Sequence, residues 1–534
     1  MTDFDADVLV VGSGSGGLTA ALACAQAGLS VIVFEQHYVA GGWCHGFTKE
    51  GFRFSPGVHY LGRLGKNQDT RQIYEGLGVA DDLTFYEMNP NGYEHCHLNE
   101  QRFSYTNDYE LNTERLISLF PHESKGIRSY AALLKRVMDQ FPLIFEVNNW
   151  KDAVTMPYRT RDIGRYGLLN LQYILDGMIK DPSVKAMLSI QCGDQGMAPS
   201  RTMFMLHAGV SRHYEHGGFY PKGGGTSIAQ ALVKGIRSNG GRVKRGHKID
   251  RILVEQHGSK RRAIGVQSGD KTFRARHVIS NADPQNTYLN LIGRKHISNR
   301  LAKRLSKTTY STSSLICFLA VDMDLRALGL DSGNIWYGNS ADINGLFASG
   351  TSPNLYEQDE FSALFISVPT LKDPSSFDGK HHTLEVIAFV GHKPFEGFNY
   401  SENGNQDPAY LRMKEKIKSM FLKTLARVIP NIQKHVVVCE IGTPSTINHY
   451  IGATNGNVYG TEKTYRQIGP MSYRAKTEIE DLYLVGASTS SHGVAGAAMS
   501  GVQGAAKLLG CSWKTILKDH GQDLKVLSAE APLN

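Results

Sequence analysis

Apolar and polar positions alternate with two different periods along the 534 residues. Short apolar runs of strand length stand at 8–11, 31–33, 249–254, 276–281, 314–321, 361–368 and 383–390. Stretches with helical spacing stand around 115–142, 165–190 and 409–429. The alternation predicts an α/β chain. No fixed repeat and no low-complexity linker divides it, so its domains are expected to interleave, not to follow one another as beads. No apolar run reaches the roughly 18 residues of a membrane-spanning helix. In the last helical stretch Asp407-Pro408 reads as a helix start. From there Tyr410, Met413, Ile417, Met420 and Phe421 fall opposite Arg412, Lys414, Lys416, Lys418, Lys423 and Arg427. Such a face pattern suits a core helix with a solvated basic side, or a helix lying on anionic lipid.

The first strand-like run leads into glycines. Residues 7–35 read DVLVVGSGSGGLTAALACAQAGLSVIVFE. Gly12-x-Gly14-x-x-Gly17 opens a helix-like Ala/Leu stretch, Gly28 stops it, and a second β-branched run ends at Glu35. Gly12 permits a tight turn, Gly14 and the backbone of Ser13 let N–H groups approach a pyrophosphate, and Gly17 lets helix and strand pack closely. The helix N-terminus adds partial positive charge where phosphates sit. A carboxylate such as Glu35, about 20 residues on, is placed to accept hydrogen bonds from ribose hydroxyls. The pattern identifies a dinucleotide site without choosing between FAD and NAD(P). The pair Gly41-Gly42, directly after the acid, favours a chain passing close over a long, extended cofactor, and FAD is the expected one.

The C-terminal end completes this picture. Residues 481–504 read DLYLVGASTSSHGVAGAAMSGVQG, a short strand ending at Gly486 and a small-residue helix opening at Gly493-Val494-Ala495-Gly496-Ala497. That helix N-terminus is expected to set its dipole against the flavin edge that becomes negative on reduction, with small residues allowing close approach.

Together GSGSGG with Glu35, GGWCHGFTKEGFRFSPGVHYLG (41–62) and LYLVGASTSSHGVAGAAMSG resemble the phytoene-desaturase/carotenoid-isomerase superfamily of FAD oxidoreductases, and within it the retinol-saturase group. The segments MFMLHAGVSRHYEHGGFYPKGGGTSIAQAL (203–232) and Asn448-His449-Tyr450 through Val458-Tyr459-Gly460 extend the likeness, whereas Trp43 and Ser490-Ser491-His492 depart from that group's pattern. The resemblance implies a Rossmann-type FAD-binding domain built from residues 1–90, 216–290 and 446–534. It implies an interleaved α+β substrate (lid) domain, helical over 91–215 and sheet over 291–445, as in phytoene desaturase and amine oxidases. It also implies that GGFYPKGGG returns the chain to the FAD domain, opening a helix at Thr226, and that the backbone at Ile249 holds the adenine.

The activity implied is reduction of one double bond of a conjugated polyene or isoprenoid lipid by flavin hydride. Desaturation or cis–trans isomerisation of a carotenoid by the same flavin is one alternative, and a non-catalytic prenyl-lipid carrier another. His59 and Tyr60 are the first candidate proton donors, followed by Tyr220 and Lys222. The apolar stretches Phe141–Phe145, Tyr173-Ile174 and Met203–Leu206 are candidate tunnel walls. No second complete nucleotide motif is present, so reduced flavin is expected from a separate reductase or from transient NAD(P)H.

Composition adds bounds. A net charge of +8 spread over this length, with no stripe of Lys/Arg and interleaved aromatics, argues against nucleic acid and permits peripheral membrane contact. Seven cysteines with no CxxC fit free thiols in a reducing, cytoplasmic setting. An acidic N-terminus is the wrong charge for a signal peptide. His95-Cys96-His97, with no distant partner motif, reads as structural, and no metal is expected. The oligomeric state is not legible.

Overall fold

A computed structural model of the chain describes residues 4–145, 150–258, 260–398, 407–518 and 521–531. Two seven-stranded sheets organise it. In the first, five strands run parallel in the spatial order Arg242–Lys244, Val31–Phe34, Ala6–Val11, Lys271–Ser280 and Leu482–Leu484. The hairpin Arg251–His257/Lys260–Ser268 extends the long strand antiparallel. Both faces of this sheet are covered, which is why its strands read as continuous apolar runs rather than alternating ones. Val8 and Val10 face helices Ser15–Gln26, Gly225–Ser238 and Gly493–Leu509. Leu9 and Val11 face the opposite cluster, with Tyr288 and Ile292.

The second sheet runs Val436–Gly442, Ser313–Val321, His382–Val390, Ala363–Ser367, Asn334–Gly338, Glu94–Leu98 and Gln101–Tyr105. All neighbours are antiparallel except Asn334–Gly338 with Glu94–Leu98. Leu315, Cys317 and Leu319 point into a core shared with helix Pro408–Leu425, and Ile316 and Phe318 point toward the helical layer of residues 109–213. The protein is thus α/β, with a Rossmann-type sheet interleaved along the chain with a second α+β layer. A small third sheet joins Lys525–Ser528, Thr84–Glu87 and Phe219–Pro221.

Some expected elements change on folding. The helical stretch 115–142 is two helices, Tyr109–Leu119 and Ser124–Gln140. They part at Phe120-Pro121, where proline disfavours the α conformation of the residue before it and Phe120 adopts φ −130°, ψ 67°. The stretch 165–190 is divided among Arg161–Tyr166, Leu171–Met178 and Pro182–Ser189, the last two capped by the side chains of Asn170 and Asp181. Helix Pro408–Leu425 buries Tyr410, Met413, Ile417, Met420 and Phe421 against the second sheet. Its basic side is paired, Lys414 with Glu440, Lys416 with Asp359, Lys418 with Glu415 and Arg427 with Glu360. This is the core reading of that helix; its apolar face is spent on protein and is not available to lipid. Among the described residues no helix is long and apolar enough to cross a membrane. His95 bonds Asp331 (2.9 Å) and Ser104 (2.8 Å), and no group of three metal-binding side chains occurs among the described residues.

Candidate active site

Between the two sheets lies a cavity of about 750 Å³. One wall is the nucleotide loop and the ends of the first sheet's strands. The other carries Ser314, Ile316, Ile387 and Phe389 from the second sheet. Of the sequence-predicted cofactor residues, Gly12, Ser13, Gly14, Glu35, Gly41, Gly42, Ile249, Gly486, Val494 and Ala497 line it. Gly17 and Gly496 do not. A Cβ at Gly17 would lie 2.2 Å from the Gly12 carbonyl oxygen, so this glycine permits contact within the fold instead of contact with a ligand. A Cβ on Gly496 would meet the Ser491 side chain.

The loop is tied together by one carboxylate. Glu35 Oε2 accepts from the Ser13 backbone N–H (2.9 Å) and hydroxyl (2.6 Å), and Oε1 accepts from the His37 N–H (2.9 Å). Ser13 Oγ in turn accepts from the Gly41 N–H (3.0 Å). Three donors leave the carboxylate about one of its four acceptor sites for a ligand. Two helices begin at the cavity, Ser15–Gln26 and Gly493–Leu509. Neither has a side-chain cap or an acidic residue in its first turn. Their free N–H groups and positive dipole ends suit a pyrophosphate and an anion delocalised over a reduced ring. Asn281 Oδ1 and Ser314 Oγ line the same cavity, buried and without a hydrogen-bond partner. Orphaned polar atoms of this kind mark where a polar ligand completes the site, and the residues present fit a flavin dinucleotide.

Among the predicted catalytic residues, only His59 lines the cavity. Its Nδ1 lies 2.9 Å from Glu385 Oε2, while Glu385 Oε1 accepts from the Ser55 N–H (2.5 Å). His59 Nε2 has no partner among the described residues. Glu385 is fully buried in strand His382–Val390. Beneath it, the equally buried Lys372 donates to the His59 carbonyl oxygen (2.8 Å), to Ser367 Oγ (2.7 Å) and to Asn334 Oδ1. Burial pulls the Lys372 amine down to about 7, against the upward pull of Glu385.

Tyr60 lies outside the cavity wall, bonded to Glu94 and Asp194. Tyr220 is buried in the small third sheet, with the Lys372 ammonium 5.4 Å from its ring centroid. Lys222 is exposed, its backbone N–H donating to Thr84. The proposed tunnel residues are elsewhere too: Ile174 and Phe204 are core, Tyr173 is 65% exposed, and the side chains of Ile144 and Phe145 lie outside the described residues.

Sequence reasoning missed Glu385, Lys372, Glu94, Asp194 and Asn281. A lone acid inside the apolar run TLEVIAFV was the available signal for Glu385, because a buried charge needs a partner. It also missed Lys463, whose buried ammonium donates to the Ala487 carbonyl (2.6 Å) on the cavity wall; burial lowers it to about 7.

Comparison with known proteins agrees with this architecture. The zebrafish (Danio rerio) all-trans-retinol 13,14-reductase is 29% identical, over 92% of this chain and 84% of that protein. Prolycopene isomerase 1, chloroplastic, of an Oncidium hybrid cultivar is 26% identical, over 93% of this chain and 82% of that protein. The solved cyclohexylamine oxidase of Brevibacterium oxydans superposes with a TM-score of 0.59 at 15% identity, covering 95% of this chain and 100% of that one. Residues 15–393 match the family described as flavin containing amine oxidoreductase. Since that match takes in the nucleotide-loop helix, the helical layer and most of the second sheet, the chain belongs to the flavin containing amine oxidoreductase family and is an FAD-dependent oxidoreductase.

Proposed function

We propose that the chain reduces one double bond of a long conjugated polyene or isoprenoid alcohol, with His59 as the proton donor. The carrying observation is the pairing of His59 with buried Glu385 on a cavity wall that otherwise presents Ile316, Ile387 and Phe389. Similarity to a retinol 13,14-reductase supports the substrate class. Bound flavin supplies hydride to one alkene carbon. The protein's part is the proton for the other. Glu385 fixes the imidazole through Nδ1 and leaves Nε2 toward the substrate. The apolar wall favours the isoprenoid chain and keeps water from the reacting carbons. Similarity to prolycopene isomerase favours a second reading, cis–trans isomerisation in the same cavity. Electrons come from a separate reductase or from NAD(P)H binding transiently. We place the enzyme in the cytoplasm, collecting its lipid by peripheral membrane contact that does not use helix Pro408–Leu425.

The test is product mass after incubating the flavin-loaded protein with all-trans-retinol, and separately with a carotenoid, under reducing and under oxidising conditions. A gain of two hydrogens is expected. A loss of two makes it a desaturase, unchanged mass with altered retention makes it an isomerase, and no change with either lipid overturns the substrate class. His59→Ala is expected to keep its flavin and lose turnover by about 10²-fold or more; full activity in that variant removes His59 from the mechanism.

A further inference from the structure

We propose that the hydrocarbon end of the substrate occupies a second, smaller pocket beside the flavin cavity, and that Ser314 holds its alcohol end; the proposal rests on the substrate class read above. The pocket, about 50 Å³, lies between the second sheet and helix Ile343–Gly350. Trp336, Leu346, Phe347, Ala363, Phe365 and Phe389 form most of its wall. It is far smaller than the cavity, so it takes one end of a chain and not the whole of it.

Strand register places the two spaces side by side. Ile316, Ile387, Phe365 and Trp336 are successive cross-strand partners on one face of the second sheet. Two residues along their strands, and so on the same face, stand Ser314, Phe389 and Ala363, with Ser314 directly opposite Phe389. Ser314 and Ile316 line the cavity, Ala363, Phe365 and Trp336 line the pocket, and Ile387 and Phe389 line both. A chain lying across the strands therefore passes from cavity to pocket over Ile387 and Phe389. Three strand spacings make that path about 14 Å. His59 stands over its middle: the imidazole packs edge-on at 5.6 Å against Phe365 and bonds Glu385, two residues from Ile387 on the same strand.

The polar groups decide which end goes where. In the pocket wall, Ser349 Oγ donates to Gln358 Oε1 (3.1 Å) and bonds Ser362 Oγ (2.8 Å), while Gln358 Nε2 donates to the Ser349 carbonyl (3.1 Å). These groups satisfy one another and leave an apolar pocket suited to hydrocarbon. At the cavity end of the path, Ser314 Oγ is buried with no hydrogen-bond partner among the described residues. A serine hydroxyl donates and accepts, and so does an alcohol, which makes the alcohol the end that completes it. Trp336 is a fixed end wall: its Nε1–H donates to Glu94 (3.0 Å), and a Cβ on Gly193 would lie 2.1 Å from its ring. The double bond beside His59 is thus held between a bonded alcohol and a buried tail.

The test is equilibrium binding, read from the shift in flavin absorbance of the flavin-loaded protein, with each variant compared at wild-type flavin content. The probes are geraniol, a short isoprenoid alcohol, and all-trans-retinol, a long one. Ala363→Ile, which narrows the pocket, should weaken all-trans-retinol about tenfold relative to geraniol. Where that variant does not fold, Phe347→Ala serves, since loss of the ring's contact should give a relative weakening of the same order. Equal weakening of both alcohols, or none, overturns the pocket. Ser314→Ala should weaken farnesol about tenfold relative to farnesene, a hydrocarbon of the same length; an equal effect on the two overturns the orientation. A wild type that binds these alcohols but reduces none overturns the reductase reading instead, and leaves the binding result standing.

Discussion

Gly42 shows how little space the nucleotide loop leaves. It has φ +55°, and a Cβ there would lie 2.9 Å from Gly14 Cα. Neither atom is the end of a flexible side chain, so Gly42→Ala must displace the loop whose N–H groups face the cavity. The strain of a left-handed alanine is about 1–2 kcal/mol, which a protein of this size absorbs, but the displacement falls on the ligand site. The expected outcome is a folded protein that purifies with most of its flavin missing, read as the ratio of flavin to protein absorbance. Normal flavin content would show that the loop moves without disturbing the cofactor.

Helix Pro408–Leu425 carries the corresponding argument for elements. Ile417 is fully buried beneath the second sheet, whereas Lys416 reaches an exposed Asp359 at 3.2 Å. Ile417→Ala should cost about 2–5 kcal/mol in denaturant unfolding, and Lys416→Glu at most about 1 kcal/mol. Neither charge reversal at Lys416 nor loss of the other lysines should change liposome flotation, since the apolar face that lipid would need is already covered. A lysine-dependent flotation signal would contradict that. The spacing of apolar residues revealed this helix and its buried face, because a 3.6-residue period is a property of the segment alone. It did not reveal what covers the face. Likewise the glycine loop, Glu35 and the flavin reading were legible, since the motif is local. The Tyr60–Asp194 contact was not: the two residues are 134 apart, and only tertiary packing makes them neighbours. Tyr220 and Lys222 were read from their place in a glycine-rich segment, which cannot tell a side chain facing the cavity from one facing a small sheet or solvent.

For the molecule as a whole, burying so many titratable groups makes stability depend on pH with a definite sign. Burial lowers His45, His97, His207 and His213 to about 4 and His492 to about 3. Unfolded, each titrates near its ordinary 6.5, so as pH falls from there toward 4 the unfolded chain takes up protons that the native state refuses. Native stability is therefore lost through that window, by about 1.4 kcal/mol per pH unit for each proton of difference. Lys372 and Lys463, lowered to about 7 from 10.5, act in the same sense at higher pH: between those values the unfolded chain binds more protons, so stability rises with pH. Glu94 and Asp194 are shifted upward and oppose this, holding protons in the native state that the unfolded chain has released. The five histidines and two lysines named here favour the alkaline side and outnumber these two acids, so the melting temperature should climb from pH 4 to neutrality. Thermal melts across that range check the sign. A gentler acid limb in His207→Gln, which removes an imidazole whose ring bonds only Tyr130 among the described residues, would tie the slope to these buried rings; an unchanged limb would assign the acid loss to other groups.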